Sequence, residues 1–365
     1  MAKSIDTVWK IEEHTKAKHR ILRGYLDAWL PIMSKHNGRL VYIDGFAGPG
    51  VYTGGEPGSP IIALKAYLEH KHRSHITAEI VYFFIDEDPK RIAQLREEVQ
   101  KLGLLPDKAK VSIREGAYEQ VFGEILDGVE QRGARLAPTF AFIDPFGYKT
   151  ASMQLSGRFL QFDRCEVLVY VPFPFIARFV TTPAVEPALT NLFGSEEWKE
   201  ARAVGGKARL RVLHDLFQRR LKEECGLEYV RSFQIVKGES HTGYHLFFGT
   251  KNKIGLLKMK EAMWRIDPVE GQRFIDSTEA AQQTLFQPEP DFAGLRRAME
   301  VHFGNAPFSI EDGEDFTLTE TAFLPSHVRT VLRPLEDGGQ LEIVWAKPGR
   351  KRRQYPPGTR MRFVP

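Results

Sequence analysis

The chain has 365 residues, 42% hydrophobic and 27% charged, a composition that excludes wholesale disorder and supports two or three packed domains. Its two cysteines, Cys165 and Cys225, are too few for a disulfide framework, a four-ligand zinc site or the three thiolates of a radical iron–sulfur centre. The net charge is +4, but Lys347 to Pro365 holds seven basic residues and no acid; +4 less these seven leaves −3, so the positive charge is local and points to a polyanionic partner. The start of the chain lacks a signal pattern and no run approaches the ~18 apolar residues of a membrane span, so a cytoplasmic protein with no membrane partner is expected.

In chain order, Ile21, Leu22, Tyr25, Leu26, Trp29 and Leu30 recur at three- and four-residue spacing and predict an amphipathic helix ending near Pro31. Short apolar runs follow, each closed by acidic or glycine punctuation: Leu40 to Ile43, Ile80 to Ile85, Val111 to Ile113, Phe140 to Ile143 and Val167 to Val171. Helical stretches separate them at Ile61 to His70, Arg91 to Leu102 and Tyr118 to Val129. This alternation predicts a parallel sheet with helices on both faces. Pro172, Pro174, Pro183 and Pro187 interrupt the next segment, a candidate substrate loop ahead of a helix over Ala208 to Glu224. Tyr229 to Val236 and Tyr244 to Phe248 then predict a hairpin. The outline is an α/β, Rossmann-like sheet of seven strands, which resembles the class I S-adenosylmethionine (SAM) methyltransferase layout more than a six-stranded dinucleotide domain.

A linker is expected near Gln287-Pro288-Glu289-Pro290, dividing the chain into an N-terminal helical segment (1–37), a SAM-methyltransferase-like domain (38–287) and a C-terminal domain (288–365). In the last, Leu295 to Phe303 reads as a helix, Thr317 to Ala322 as a polar turn-rich stretch, Pro325 to Leu335 as a second helix, and Leu341 to Trp345 with Arg360 to Val364 as paired strands. Helix, turn, helix and hairpin outline a winged helix, with Arg350, Lys351, Arg352 and Arg353 at the wing tip as candidate nucleic-acid contacts. A solvated basic tail is the alternative.

The chemistry concentrates at the ends of the apolar runs. Asp44-Gly45-Phe46-Ala47-Gly48-Pro49-Gly50 follows the first run, and its glycine spacing departs from the dinucleotide pattern. Glycines admit close backbone approach to a ligand, while an acid beside them suits the ammonium of a methionine-type tail; this favours SAM over another nucleotide or a purely structural turn. At the second run's end, Asp86 is placed to accept a ribose diol with Glu87 beside it, whereas Asp88 before Pro89 reads as a helix cap. Gly116 and Ala117 after the third run are candidates for the adenine pocket, or a plain turn.

The fourth run ends Asp144-Pro145-Phe146-Gly147, which resembles the amino-methyltransferase signature of Asp, Asn or Ser followed by two prolines and an aromatic. There the carboxylate and the proline carbonyl accept an exocyclic amine while the ring stacks on the base, so catalysis is positioning. Phe-Gly in place of Pro-Tyr is closest to tRNA guanine-N2 methyltransferases and leaves the target atom open; an acid capping a strand–helix turn is the plainer reading. Glu13 to Arg20 reads as a solvated basic helix start, or as a lid or phosphate contact; His14 and His19 are spaced off one helical face and are assigned no metal. Phe173, Phe175 and Phe179 with Arg178 suit base stacking or core, and Trp198 and Trp264 suit packing.

His14-Thr15 with Lys18-His19, Asp44 to Gly50, Gly58-Ser59-Pro60 and Ile143 to Gly147 together resemble the bacterial three-Cys-motif partner family, TcmP, over nearly the whole chain. The resemblance implies a SAM-methyltransferase-like domain with a C-terminal winged helix, associated with a separate, radical-SAM-like protein that bears the three-cysteine cluster. Three functions follow as expectations: a SAM-dependent methyltransferase acting on nucleic acid, DNA favoured; a DNA-binding accessory subunit delivering that radical-SAM-like partner; or an RNA methyltransferase.

Overall fold

The computed structural model describes residues 7–145, 152–237, 242–276 and 290–364. Five parallel strands, β1 (Arg39–Asp44), β2 (Glu79–Asp86), β3 (Ala109–Glu115), β4 (Thr139–Ile143) and β5 (Cys165–Val171), run side by side in the order β3-β2-β1-β4-β5. The sheet continues through β7 (Thr242–Thr250), antiparallel to both β5 and β6 (Tyr229–Lys237), and closes with β8 (Arg273–Asp276) parallel to β6. Among the described residues the expected seven strands are therefore eight. β8 has four residues with charged ends, too short to carry a readable alternation.

Near-continuous apolar strands imply helices on both faces, and both are covered. Leu40, Tyr42, Phe140 and Leu168 face α1 (Glu13–Ser34), α2 (Ser59–Leu68), α3 (Pro89–Lys101) and α9 (Lys253–Trp264). Their alternates Val41, Ile43, Ala141 and Val167 face α4 (Tyr118–Gln131), α5 (Met153–Leu160), α6 (Phe173–Phe179), α7 (Glu186–Phe193) and α8 (Gly206–Glu223). The proline-broken segment after β5 is thus two short helices with 3₁₀ turns between and after them. Phe173 and Trp198 are fully buried in this second core, and Trp198 Nε1 donates to Thr190.

α1 runs through Pro31 to Ser34, contrary to the expected stop. A proline there removes the hydrogen bond to the Asp27 carbonyl, and His70 Nε2 lies 2.9 Å from that oxygen as a replacement donor. A long-range contact satisfies the group that local reasoning leaves orphaned.

Beyond the sheet, α10 (Ala293–Phe303), β9 (Phe308–Ser309), α11 (Ile310–Glu320), α12 (Pro325–Asp337), β10 (Leu341–Trp345) and β11 (Arg360–Phe363) share a core of Leu295, Met299, Phe308, Val328, Leu332 and Met361. β10, β11 and β9 form an antiparallel sheet in that order. Thr317 to Glu320, read as a turn, belong to α11, which a Ser309–Asp312 capping box starts. Few apolar residues mark this helix; packing on α9 and α12 overrides its composition.

The basic run does not project freely. Arg350 packs over Tyr355 and pairs with Glu336 at 2.7 Å, with both charged side chains largely buried (12% and 9% exposed). Glu336 also accepts from the Tyr355 hydroxyl at 2.8 Å and the Arg353 amide at 3.0 Å. Arg352 and Arg353 pair with Asp337, and Arg362 with Glu342. Part of the positive end is thus neutralised by the C-terminal turn of α12 and by β10. Among the described residues no helix is long and apolar enough to cross a membrane.

Candidate functional site

Strand order reverses between β1 and β4, and in a doubly wound sheet the crevice at the carboxyl ends of such a pair is where ligands bind. A cleft of about 420 Å³ opens there, within the usual range of small-molecule sites. Phe46 to Tyr52 form one wall, Asp144 and Pro145 the second, Tyr170, Pro172, Phe175 and Tyr244 the third, and the N-terminal segment from Trp9 to His19 lies across it.

Asp44 ends β1 beneath the glycine loop and is fully buried. Its Oδ1 accepts the Phe46 amide at 3.3 Å, while among the described residues Oδ2 has no donor within hydrogen-bond distance, the Ser59 and Tyr42 hydroxyls being its near polar neighbours. Burial pushes its carboxyl up to about 7, against the opposing effects of the Ser59 hydroxyl and the Phe46 amide. A buried acceptor without a donor is costly, and a ligand N–H reaching it would remove that cost. Gly45 has no room for a side chain, since a Cβ would sit 2.6 Å from the Tyr118 ring. Gly48 has φ +63°, the left-handed region open to glycine, and this turns its amide onto Asp86 Oδ2 at 2.9 Å.

Asp86 therefore shapes the loop. Its Oδ1 takes the Asp88 amide at 2.9 Å, it is only 5% exposed, and it does not line the cleft. Burial raises its carboxyl despite these amides and Arg91. Glu87 is exposed, one residue past the end of β2, and Gly116 donates its amide to the Asp86 carbonyl, with Ala117 preceding α4. Phe46 and Tyr118 rings lie 5.5 Å apart between this turn and the loop. Of the residues read from the sequence, Phe46, Ala47, Gly48, Asp144 and Pro145 meet in the cleft; Asp44 and Gly45, directly before Phe46, are buried and do not line it, and Asp86, Glu87, Gly116 and Ala117 lie outside it as well. Phe146 falls outside the described residues. Asp88 caps α3 by accepting the Lys90 amide, as its place before Pro89 predicts.

The N-terminal segment supplies the partners that sequence reasoning left undecided. Lys18 Nζ lies 2.6 Å from Asp144 Oδ2 and 4.2 Å above the Tyr170 ring, with 7% of the lysine and 20% of the aspartate side chain exposed. Tyr244 stacks on Tyr170 at 5.1 Å and His14 on Tyr244 at 5.8 Å. Burial, and then Lys18, push His19 down to about 3, so this ring is neutral near pH 7. Thr53 donates to the Trp9 carbonyl, and the Trp9 ring faces Gly48, so the segment is anchored to the loop. Of the aromatics after β5, Phe175 lines the cleft, Phe173 is core and Phe179 is partly exposed. Tyr170 and Tyr244 carry no local signal, because they meet through the β5–β7 pairing.

No protein-family model matches the sequence, and no curated protein matches it. Among solved structures the chain is similar to Trm1 from Pyrococcus horikoshii in complex with S-adenosyl-L-methionine, at 13% identity and a TM-score of 0.36 over 72% of this chain and 61% of that one. A type I restriction-modification methyltransferase subunit from Streptococcus thermophilus matches at 12% identity and a TM-score of 0.33, over 64% and 44% of the two chains. Spermidine synthase from Thermotoga maritima matches at 12% and 0.32, over 66% and 61%. The chain spans less than two thirds of each of these proteins. The fold assignment rests on the strand order.

Both cysteines lie away from the cleft, buried, with thiols pushed up to about 12, and so lack thiolate character near neutral pH. Among the described residues no cluster of three or more His, Cys, Asp or Glu is arranged to hold a metal ion.

Proposed function

We propose that the chain is a SAM-dependent methyltransferase that acts on an amine of nucleic acid, with DNA favoured. The observation that carries this is the switch-point cleft itself: a glycine loop following a buried carboxylate on β1, across from Asp144 at the end of β4, in a sheet that continues β5-β7-β6 with β7 reversed. These residues fit SAM. Asp44 would receive the ammonium of its methionine tail, Phe46, Ala47 and Gly48 would line it, and Asp86 would keep the loop in shape. When bound, the cofactor supplies an electrophilic sulfonium methyl. The chain's own part is to hold an acceptor N–H on Asp144 and the Pro145 carbonyl, and to cover the cleft with Trp9 to His19.

Calorimetry with S-adenosylhomocysteine tests the reading. Asp44 titrates near 7, so the ligand ammonium gains a carboxylate partner as pH rises; affinity is expected to increase from pH 6 to pH 8 in the wild type. Asp44→Asn should bind at least about 10-fold more weakly at pH 8 and show no such rise. The unliganded protein behaves oppositely, because a carboxyl raised by burial contributes stability below its unfolded value that is lost as pH rises through about 7. Absence of binding by the wild type would sink the enzyme.

We propose further that residues 288–365 form a winged-helix domain that brings the polyanion. The α10, β9, α11, α12, β10, β11 order supports it. Arg350 on Glu336, and Arg352 and Arg353 on Asp337, are better cast as structural residues, whereas Lys347, Lys351 and Arg360 are exposed and suited to phosphates. Neutralising Lys347, Lys351 and Arg360 is expected to lower the slope of log K against log salt for duplex DNA by about 0.9 per lost contact. An unchanged slope would leave the run as a solvated face. The resemblance to the TcmP family adds an expected companion, a radical-SAM-like protein with a three-cysteine cluster.

A further inference from the structure

The best-formed contact in the cleft is an internal one. Asp144, placed to hold an acceptor amine, already holds the side-chain amine of Lys18 at 2.6 Å, and the same nitrogen lies 4.2 Å over the Tyr170 face. Carboxylate on one side and aromatic face on the other is a binding arrangement for a primary ammonium. The stack from Tyr170 through Tyr244 to His14 extends this aromatic wall. The glycine loop and Lys18 share one cleft, and β1 and β4 are paired neighbours, Asp44 opposite Phe142, so the loop that would hold a methyl donor stands beside the lysine nitrogen. α1 carries Lys18 on the same helix whose apolar face forms part of the sheet core, so the amine is delivered by a rigid element.

We propose that Lys18 is a modification site of this protein: its Nζ is the chain's own methyl acceptor, occupying the position that a target amine takes at Asp144. The inference rests on the methyltransferase reading and adds to it a specific acceptor atom. The ammonium gives a proton to Asp144, which passes it to water. The freed Nζ lone pair forms an N–C bond to the methyl group of a sulfonium donor as the C–S bond breaks, and that electron pair stays on sulfur, leaving a neutral thioether. The methylated lysine forms directly as a secondary ammonium, carrying the charge that left sulfur, and stays paired with Asp144 and the Tyr170 ring.

Purified full-length protein is incubated with SAM and followed by intact mass and peptide mapping. The expected result is a gain of one CH₂, about 14 Da, on Lys18, absent in Lys18→Arg and in Asp144→Asn. S-adenosylhomocysteine calorimetry on the same samples separates two failures. Binding with no mass gain at Lys18 overturns the modification and spares the methyltransferase reading; no binding overturns that reading and the inference with it. A second measurement needs no methyl donor. Butylammonium should restore about 2 °C of melting temperature to Lys18→Ala by refilling the slot, and do nothing for Lys18→Ala combined with Asp144→Asn. Equal responses in the two variants would mean that the slot does not recognise an amine.

Discussion

Asp144→Ala is expected to lose transfer and stability together. With its acceptor oxygen gone, a target amine is no longer oriented, and misplacement at the reacting atom is worth at least about 10²-fold in rate. Nucleosides from cells expressing wild type or variant, compared by mass spectrometry, give the readout: the modified base should disappear. The stability loss has a separate origin. Lys18 is 7% exposed and would remain as a buried ammonium without its carboxylate, at a cost of about 2–3 kcal/mol once the partial exposure of Asp144 is discounted. Adding Lys18→Met should recover most of that stability in denaturant melts without recovering transfer. Recovery of both would mean that the pair is a strut and that Asp144 takes no part in the chemistry.

Trp264→Ala is expected to release the C-terminal module. Trp264 ends α9 and reaches across it: Nε1 donates to the Ala322 carbonyl at 2.9 Å, and its ring packs edge-on against His327 at 4.4 Å and on Phe323 at 5.7 Å. Gly271, with φ +66°, has no Cβ because one would lie 2.1 Å from this indole nitrogen. Lys260, one turn earlier, is buried with its Nζ donating to the Thr317 and Leu318 carbonyls at 2.9 and 2.8 Å, closing the C-terminal end of α11. Removing the indole leaves a cavity and an unsatisfied carbonyl, at a cost of about 3–5 kcal/mol. Hydrogen exchange should show residues 293–363 losing protection while the sheet strands keep theirs. Uniform loss across the chain would mean that the module and the sheet unfold as one unit.

The central strands β1, β4 and β5 were legible because they are buried on both faces and read as apolar runs; Leu40, Tyr42, Val41 and Ile43 serve two cores at once. The glycine loop was legible for a related reason: backbone conformation at Gly48 and close approach at Gly45 restrict residue type so strongly that the pattern shows. α11 was not, because a helix of Asp, Glu, Gly and Thr forms only when its few apolar residues meet α9 and α12. Pro31 misled for the same reason, since its missing donor is replaced by His70, some forty residues away.

By itself, the sequence determined which residues can approach a ligand closely, where the acids stand at strand ends, and how polarity divides body from C-terminal run. Those are local properties of side-chain size, backbone freedom and charge. Only the tertiary structure decided what each charge faces. Arg350 turned inward onto Glu336, Asp86 onto Gly48, and Lys18 onto Asp144 across more than a hundred residues. A charge in a string has a sign; burial and a partner give it an energy and a role, and both come from residues the chain brings together when it folds.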